Sequence, residues 1–100
     1  MECNQIQISG TVADIKKTRS TPGGVRISSF VLLHRSRQVE AGTPRVVECE
    51  LQIQLTGSEF DEVRANLESG KQVVVLGILS RQSHKQTKAL KVLANEIQFI

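Results

Sequence analysis

Lys16, Lys17 and Arg19 stand close together, Arg35 and Arg37 flank a serine, and Lys85 and Lys88 lie three apart in a polar stretch. Side chains of this type and spacing do one kind of chemistry well. They neutralise phosphates and release the counterions condensed on them. Arginine adds a flat guanidinium that stacks as well as pairs. The rest of the sequence offers no rival constellation. There is no P-loop, no GxSxG and no HExxH. His34 and His84 stand alone, without a Cys or Asp companion of catalytic type. Glu59, Asp61 and Glu62 resemble paired carboxylates, but they open a predicted helix, where negative charge complements the dipole. Cys3 and Cys49 form no CxxC and have no neighbouring histidine, so zinc is not expected. Both read as small, half-buried hydrophobes. No catalytic residue, metal or cofactor is expected, and the reading is that of a binding protein, not an enzyme.

The distribution of charge sharpens this. The net charge is +3. Residues 1–40 contribute +3, residues 41–70 contribute −4 and residues 71–100 contribute +4. A fold that brings the two ends together would give one face that attracts a polyanion. Rings to stack on bases are scarce: three Phe, no Trp and no Tyr. Phe30 and Phe60 fit core positions and Phe99 lies near the end. Binding should therefore lean on phosphate charge and be sensitive to salt.

Positioning these clusters requires strands. Ile6, Ile8, Gly10 and Val12 alternate with polar residues, the period of a strand with one buried face. Gly10 suggests a bend or bulge. After the basic segment 16–19, Thr21-Pro22-Gly23-Gly24 is a turn. A second strand is predicted from Val25 to Arg37, with Val31 and Leu33 covered as well as Phe30 and Leu32. Glu40–Pro44 reads as a polar loop. A third strand, Arg45–Leu55, alternates Val47, Cys49, Leu51, Ile53 and Leu55 with Val46, Glu48, Glu50, Gln52 and Gln54. Ser58 reads as a helix N-cap, with Phe60, Val63 and Leu67 on one face and Gly70 as the stop. Arg64 falls on that helix, and its replacement by alanine is expected to leave DNA affinity nearly unchanged. A fourth strand, Gln72–Leu79, and a fifth, Leu90–Ile100, enclose the basic loop Ser80–Ala89. The order βββαββ is all-β with one short helix, the pattern of a five-stranded OB-fold barrel occupying residues 1–100 as a single domain. In that fold the first-to-second and fourth-to-fifth connections flank the binding face. Lys16, Lys17, Arg19, Arg35, Arg37, Lys85 and Lys88 are the candidate DNA-binding residues.

One hundred residues make one modest core. No apolar run approaches the ~20 residues of a membrane helix. The N-terminal MECNQIQISG lacks the features of a secretory signal, so a cytoplasmic location is expected.

The string SGTV at 9–12, STPGGVRISSFVLLHRS at 20–36 and VEAG at 39–42 resembles the bacterial primosomal replication protein N (PriB) family. The likeness continues through Glu48-Cys49-Glu50 and Val92-Leu93-Ala94-Asn95-Glu96-Ile97, nearly the whole chain. The FVLLHRS–EAG pair is the specific part. The resemblance implies an OB-fold related to bacterial single-stranded DNA-binding protein, which shares the T-P-x-G turn. It implies a homodimer that binds single-stranded DNA, stimulates the PriA helicase and, in some bacteria, contacts DnaT. Strand one is the candidate for pairing across the two-fold axis. Carried over by position, the family's DNA-contacting residues fall on Arg19, Arg35 and the loop with Lys85 and Lys88. Two positions depart. Glu48 stands where some relatives carry a tryptophan, and Thr43 where they carry a phenylalanine; each change removes a stacking ring. Two other readings stand beside this one. A generic strand-coating protein is disfavoured by the HRS–EAG match and by the lack of an acidic Gly/Pro-rich tail. A protein-interaction adaptor with weak DNA binding is favoured by the lost aromatic positions.

Overall fold

A computed structural model describes residues 1–100. The elements are β1 (Ile6–Ala13), β2 (Arg19–Ser20), β3 (Arg26–Glu40), β4 (Thr43–Thr56), a 3₁₀ turn (Ser58–Phe60), α1 (Asp61–Asn66), β5 (Gln72–Arg81) and β6 (Leu90–Phe99). The period-two pattern explains which side of each strand turns inward. Phe30 and Leu32 of β3, Ile53 and Leu55 of β4, Val73 and Val75 of β5, and Val12 and Val92 are fully buried. Ser28 is the one buried polar residue among them.

The five long strands close into a mixed barrel in the order β1–β5–β6–β4–β3–β1. All pairings are antiparallel except β4–β6. Closure depends on β1 serving two partners: Ile6–Thr11 pair with β5 and Thr11–Ala13 pair with β3. The change of partner falls at Thr11, and at Gly10 just before it a Cβ would sit 2.5 Å from the Leu33 carbonyl oxygen. The bend expected at that glycine is thus a close backbone approach that no other residue permits. Gly77 plays the same part in β5, where the register with β6 shifts. Its missing Cβ makes room for the Leu93 carbonyl.

Several expectations need correction. β3 and β4 do not stop near Arg37 and Arg45. They continue to a two-residue turn, Ala41-Gly42, in which both residues have positive φ, 51° and 77°. That is the turn whose twist matches a hairpin, so the residues expected to form a loop are mostly strand. Beyond Leu33 and Leu51 neither strand has a barrel neighbour, because β1 pairs with β3 only at 31–33 and β6 with β4 only at 52–54. The pair projects as an arm, which helps raise the radius of gyration to 14.6 Å, against about 13 Å for a compact chain of this length. The inward-phase residues Val47 and Cys49 are consequently exposed, as is Cys3. Leu51, at the base of the arm, is only half-buried. Leu33 is 39% exposed, because no element covers the outer face of the β3–β4 ladder.

The helix is shorter than the periodicity suggested. Gly57, not Ser58, occupies the cap, with no side-chain cap hydrogen bond. The 3₁₀ turn drives Phe60 into the core, and Val63 and Leu67 pack against it. The helix stops at Asn66, and Gly70 (φ 93°) instead turns the chain into β5, donating its N–H to the Val12 carbonyl. Arg64 is not a free surface charge. Its side chain is 11% exposed, and all five guanidinium N–H groups have partners. Nε donates to Ser28 Oγ at 2.6 Å. One terminal nitrogen donates to the Gly57 carbonyl and Asp61 Oδ1, the other to the Arg26 and Leu55 carbonyls. A residue that ties the ends of two strands to the helix cannot be read from helical spacing alone.

Candidate nucleic-acid interface

Register decides what the open face presents. Residues directly opposite in a ladder point to the same side. With Phe30 and Leu32 inward, β3 turns Ile27, Ser29, Val31, Leu33, Arg35 and Arg37 outward. Their partners on β4 are Thr56, Gln54, Gln52, Glu50, Glu48 and Val46. At one edge of this face β2 adds Arg19, opposite Ile27. At the other edge β6 adds Lys91, level with Gln52.

Two loops reach the face from its opposite edges. The β1–β2 loop carries Lys16 and Lys17 and is pinned to β3 by the Lys16 N–H, which donates to the Ser29 carbonyl at 2.9 Å. The β5–β6 loop carries Lys85 and Lys88. Its mouth is closed by the Gln82 N–H on the Ala89 carbonyl and tied to β4 by Gln82 Nε2 on Gln52 Oε1, 2.6 Å. Ser29 lies opposite Gln54, two residues along from Gln52. Both loops therefore approach the same stretch of the ladder, and all four lysines are exposed.

The arginines are spread more widely. Arg35 is eight residues along β3 from Ile27, the partner of Arg19, or about 26 Å at the rise of a strand. Arg19, Arg35 and Arg37 form a track and not a cluster. The track is interrupted by acid. Glu48 lies opposite Arg35 and pairs with it at 3.4 Å, both side chains well exposed. Glu50 faces the same way, opposite Leu33. On the other side of the arm Arg45 pairs with Glu40 at 3.8 Å. An open depression of about 590 Å³ lies at the foot of the arm, lined by Leu33, Arg35, Glu48 and Glu50 with Thr11, His34 and Cys49.

His34 has a mechanical task here. Nδ1 lies 2.7 Å from the Ser9 carbonyl, which only accepts, so Nδ1 donates; Nε2 lies 2.8 Å from Ser36 Oγ. The ring latches β3 to β1 where their ladder has ended. His84 lies in the β5–β6 loop, its Nδ1 accepting from Arg81 at 2.7 Å.

No ring lies on the open face. Phe30 and Phe60 are buried, and Phe99, partly exposed beneath Lys71 Nζ at 5.3 Å, lies at the far end of β6 opposite Val73. The face carries amides instead: Gln52, Gln54 and Gln82, with Lys91 Nζ donating to Gln54 Oε1 at 2.9 Å. Lys91 was missed from the sequence. The signal was present, since Leu90-Lys91-Val92 alternates and buried Val92 turns Lys91 outward.

A closed five-stranded barrel with one uncovered ladder, flanked by two basic loops, is an OB-fold binding module. The comparisons narrow the class. Residues 4–94 match a family described as another single-strand binding protein family. The chain is similar to replication restart protein PriB of Histophilus somni, 34% identical over 100 residues, covering 97% of this chain and 91% of that one. Among solved structures it is similar to PriB from Ralstonia solanacearum, at a TM-score of 0.84 and 26% identity, covering 98% of each chain. It is also similar to wild-type single-stranded DNA binding protein from Thermus aquaticus, at a TM-score of 0.78 and 28% identity, covering 98% of this chain and 50% of that one. The chain belongs to the replication restart protein PriB family, whose members are non-enzymatic. No helix is long and apolar enough to cross a membrane.

Proposed function

We propose that this protein is a single-stranded DNA-binding accessory factor of replication restart, acting in the cytoplasm as one OB-fold module over residues 1–100. DNA would lie across the β3–β4 face, with phosphates met by Lys16, Lys17 and Arg19 on one side and by Lys85, Lys88 and Lys91 on the other. Arg35 and Arg37 extend the path along the arm. The observation that carries this reading is the convergence of two basic loops, distant in sequence, on one uncovered ladder. The name of its relatives supports a role in restart. A helicase of the PriA type is the proposed partner, with DnaT a second partner where that protein is present.

A homodimer is part of the proposal. In β1, residues 6–10 pair only with β5, and β3 joins β1 only from Thr11 onward. One edge of β1 is thus open to a second copy across a two-fold axis. Light scattering should give twice 11.0 kDa; a monomer at micromolar concentration would remove the dimer.

The test of DNA binding is a titration of labelled oligo-dT at two salt concentrations. The Lys85→Ala/Lys88→Ala double variant should bind more weakly and flatten the log–log salt slope by about 1.4, from about 0.7 per phosphate contact on a single strand. Wild-type affinity and slope in that variant would defeat the reading. Those results would favour the adaptor function, to which the ring-free, glutamate-bearing arm already lends support.

A further inference from the structure

Thr18 sits in the middle of the basic segment 16–19, and its hydroxyl lies 2.8 Å from Ser28 Oγ. Ser28 is the one buried polar residue of the barrel wall. Its oxygen already accepts from Arg64 Nε at 2.6 Å. The buried Ser28 proton then has a single acceptor within reach, Thr18 Oγ1, since a buried hydroxyl is rarely left unused. Thr18 is exposed and can pass its own proton to water. Bond direction therefore runs from Arg64 to Ser28 to Thr18. Arg64 cannot swing away to release the chain, because its other four N–H groups are held by Gly57, Asp61, Arg26 and Leu55.

The consequence concerns the loop. Between β1 and the two-residue β2, the segment has two tethers to β3: the Lys16 N–H on the Ser29 carbonyl and the Thr18 hydroxyl on Ser28. The first belongs to the backbone and works with any residue but proline. The second depends on side chains and is anchored, through Ser28 and Arg64, to helix α1.

We propose that Arg64, Ser28 and Thr18 form a positioning relay that holds Lys16, Lys17 and Arg19 in register with the open face, Thr18 being the residue through which the buried arginine acts on DNA affinity. Thr18 and Arg64 are positioning residues and touch no phosphate. The inference rests on the reading that segment 16–19 meets DNA.

Thr18→Val keeps the shape and deletes the hydroxyl. Hydrogen exchange of the Lys16 amide in the DNA-free protein should accelerate by about three- to tenfold, and oligo-dT affinity should fall by a similar factor, as expected for one hydrogen bond. Thr18→Ser, which restores the hydroxyl without the methyl, should recover both. Lys16→Ala/Lys17→Ala/Arg19→Ala is measured alongside. Unchanged exchange and affinity in Thr18→Val would overturn the relay. Faster exchange with wild-type affinity, while the triple variant binds poorly, would overturn its role in positioning but leave the DNA reading intact. Wild-type affinity in the triple variant would overturn both.

Discussion

Glu48 is the residue whose removal should most directly improve DNA binding. It projects from β4 onto the same face as Arg35 and holds that guanidinium at 3.4 Å. Glu48→Gln preserves the shape of the side chain and deletes its charge. The cost to folding should be small, because an exposed ion pair contributes about 0–1 kcal/mol. For a domain of this size 1 kcal/mol corresponds to about 4–8 °C, so a fall in Tm of a few degrees is the expected ceiling. Two effects on binding have the same sign. A carboxylate about 6 Å from a phosphate repels it by about 0.7 kcal/mol in water before screening, so its loss is worth about two- to threefold. Arg35, released from its partner, can then neutralise a phosphate, steepening the log–log salt slope by about 0.7. Glu48→Trp should go further, since a stacked base is worth about 1–3 kcal/mol. Fluorescence anisotropy of labelled oligo-dT at 50 and 200 mM salt, values on the order of those over which the counterion term is large, reads both quantities. A folded Glu48→Gln with wild-type affinity and slope, together with a Glu48→Trp no tighter than wild type, would mean the DNA path ends at the foot of the arm.

Three further expectations concern the scaffold. Leu32→Ala, at a fully buried position, should cost about 2–5 kcal/mol, whereas Leu51→Ala, half-buried at the arm's base, should cost distinctly less; equal losses in chemical denaturation would mean that the core extends into the arm. Arg64→Ala should lower stability by about 1–3 kcal/mol, the cost of leaving buried acceptors such as Ser28 Oγ without their donor, and a melting midpoint within a degree of wild type would refute the role assigned to its five hydrogen bonds. Gly10→Ala would drive a Cβ against the Leu33 carbonyl; it should destabilise by about 1–3 kcal/mol, as overpacking does, and a stable variant with unchanged amide exchange at Thr11–Ala13 would show that β1 can change partners without a glycine.

Much of this architecture was legible in the residues alone, for a local reason. Alternation in 6–12 and 51–55 reports burial directly, because a strand turns successive side chains to opposite sides. Val12, Ile53 and Leu55 are in the core for that reason, and the helix between the third and fourth long strands marked the OB-fold. The unbroken apolar run 30–33 reads as covered on both faces, and only the ladder shows that Phe30 and Leu32 turn inward while Leu33 is left exposed. The basic clusters were equally plain, as was the kinship carried by FVLLHRS: Phe30 and Leu32 fill the barrel, His34 latches β3 to β1, Arg35 turns outward and Ser36 holds the histidine ring. Alternation also misled. Val47 and Cys49 have the phase of core residues, but burial needs a neighbour to pack against, and β1 and β6 diverge from the ladder before reaching them. Whether a phase is used depends on which strands lie alongside, and that is set by pairings between residues 18 to 39 positions apart, as Ala13 with Val31 and Gln52 with Lys91. The same holds for the site. Lys91 became part of the open face only because β6 runs parallel to β4, and Glu48 became the partner of Arg35 only through the register of the arm. Arg64, on paper one more charge on an amphipathic helix, became the anchor of Ser28 and Thr18 because folding left three oxygens of the barrel wall, the Gly57 carbonyl and one carboxylate around its guanidinium. Sequence determined which side chains carry charge and which turn inward; tertiary pairing decided which of them meet.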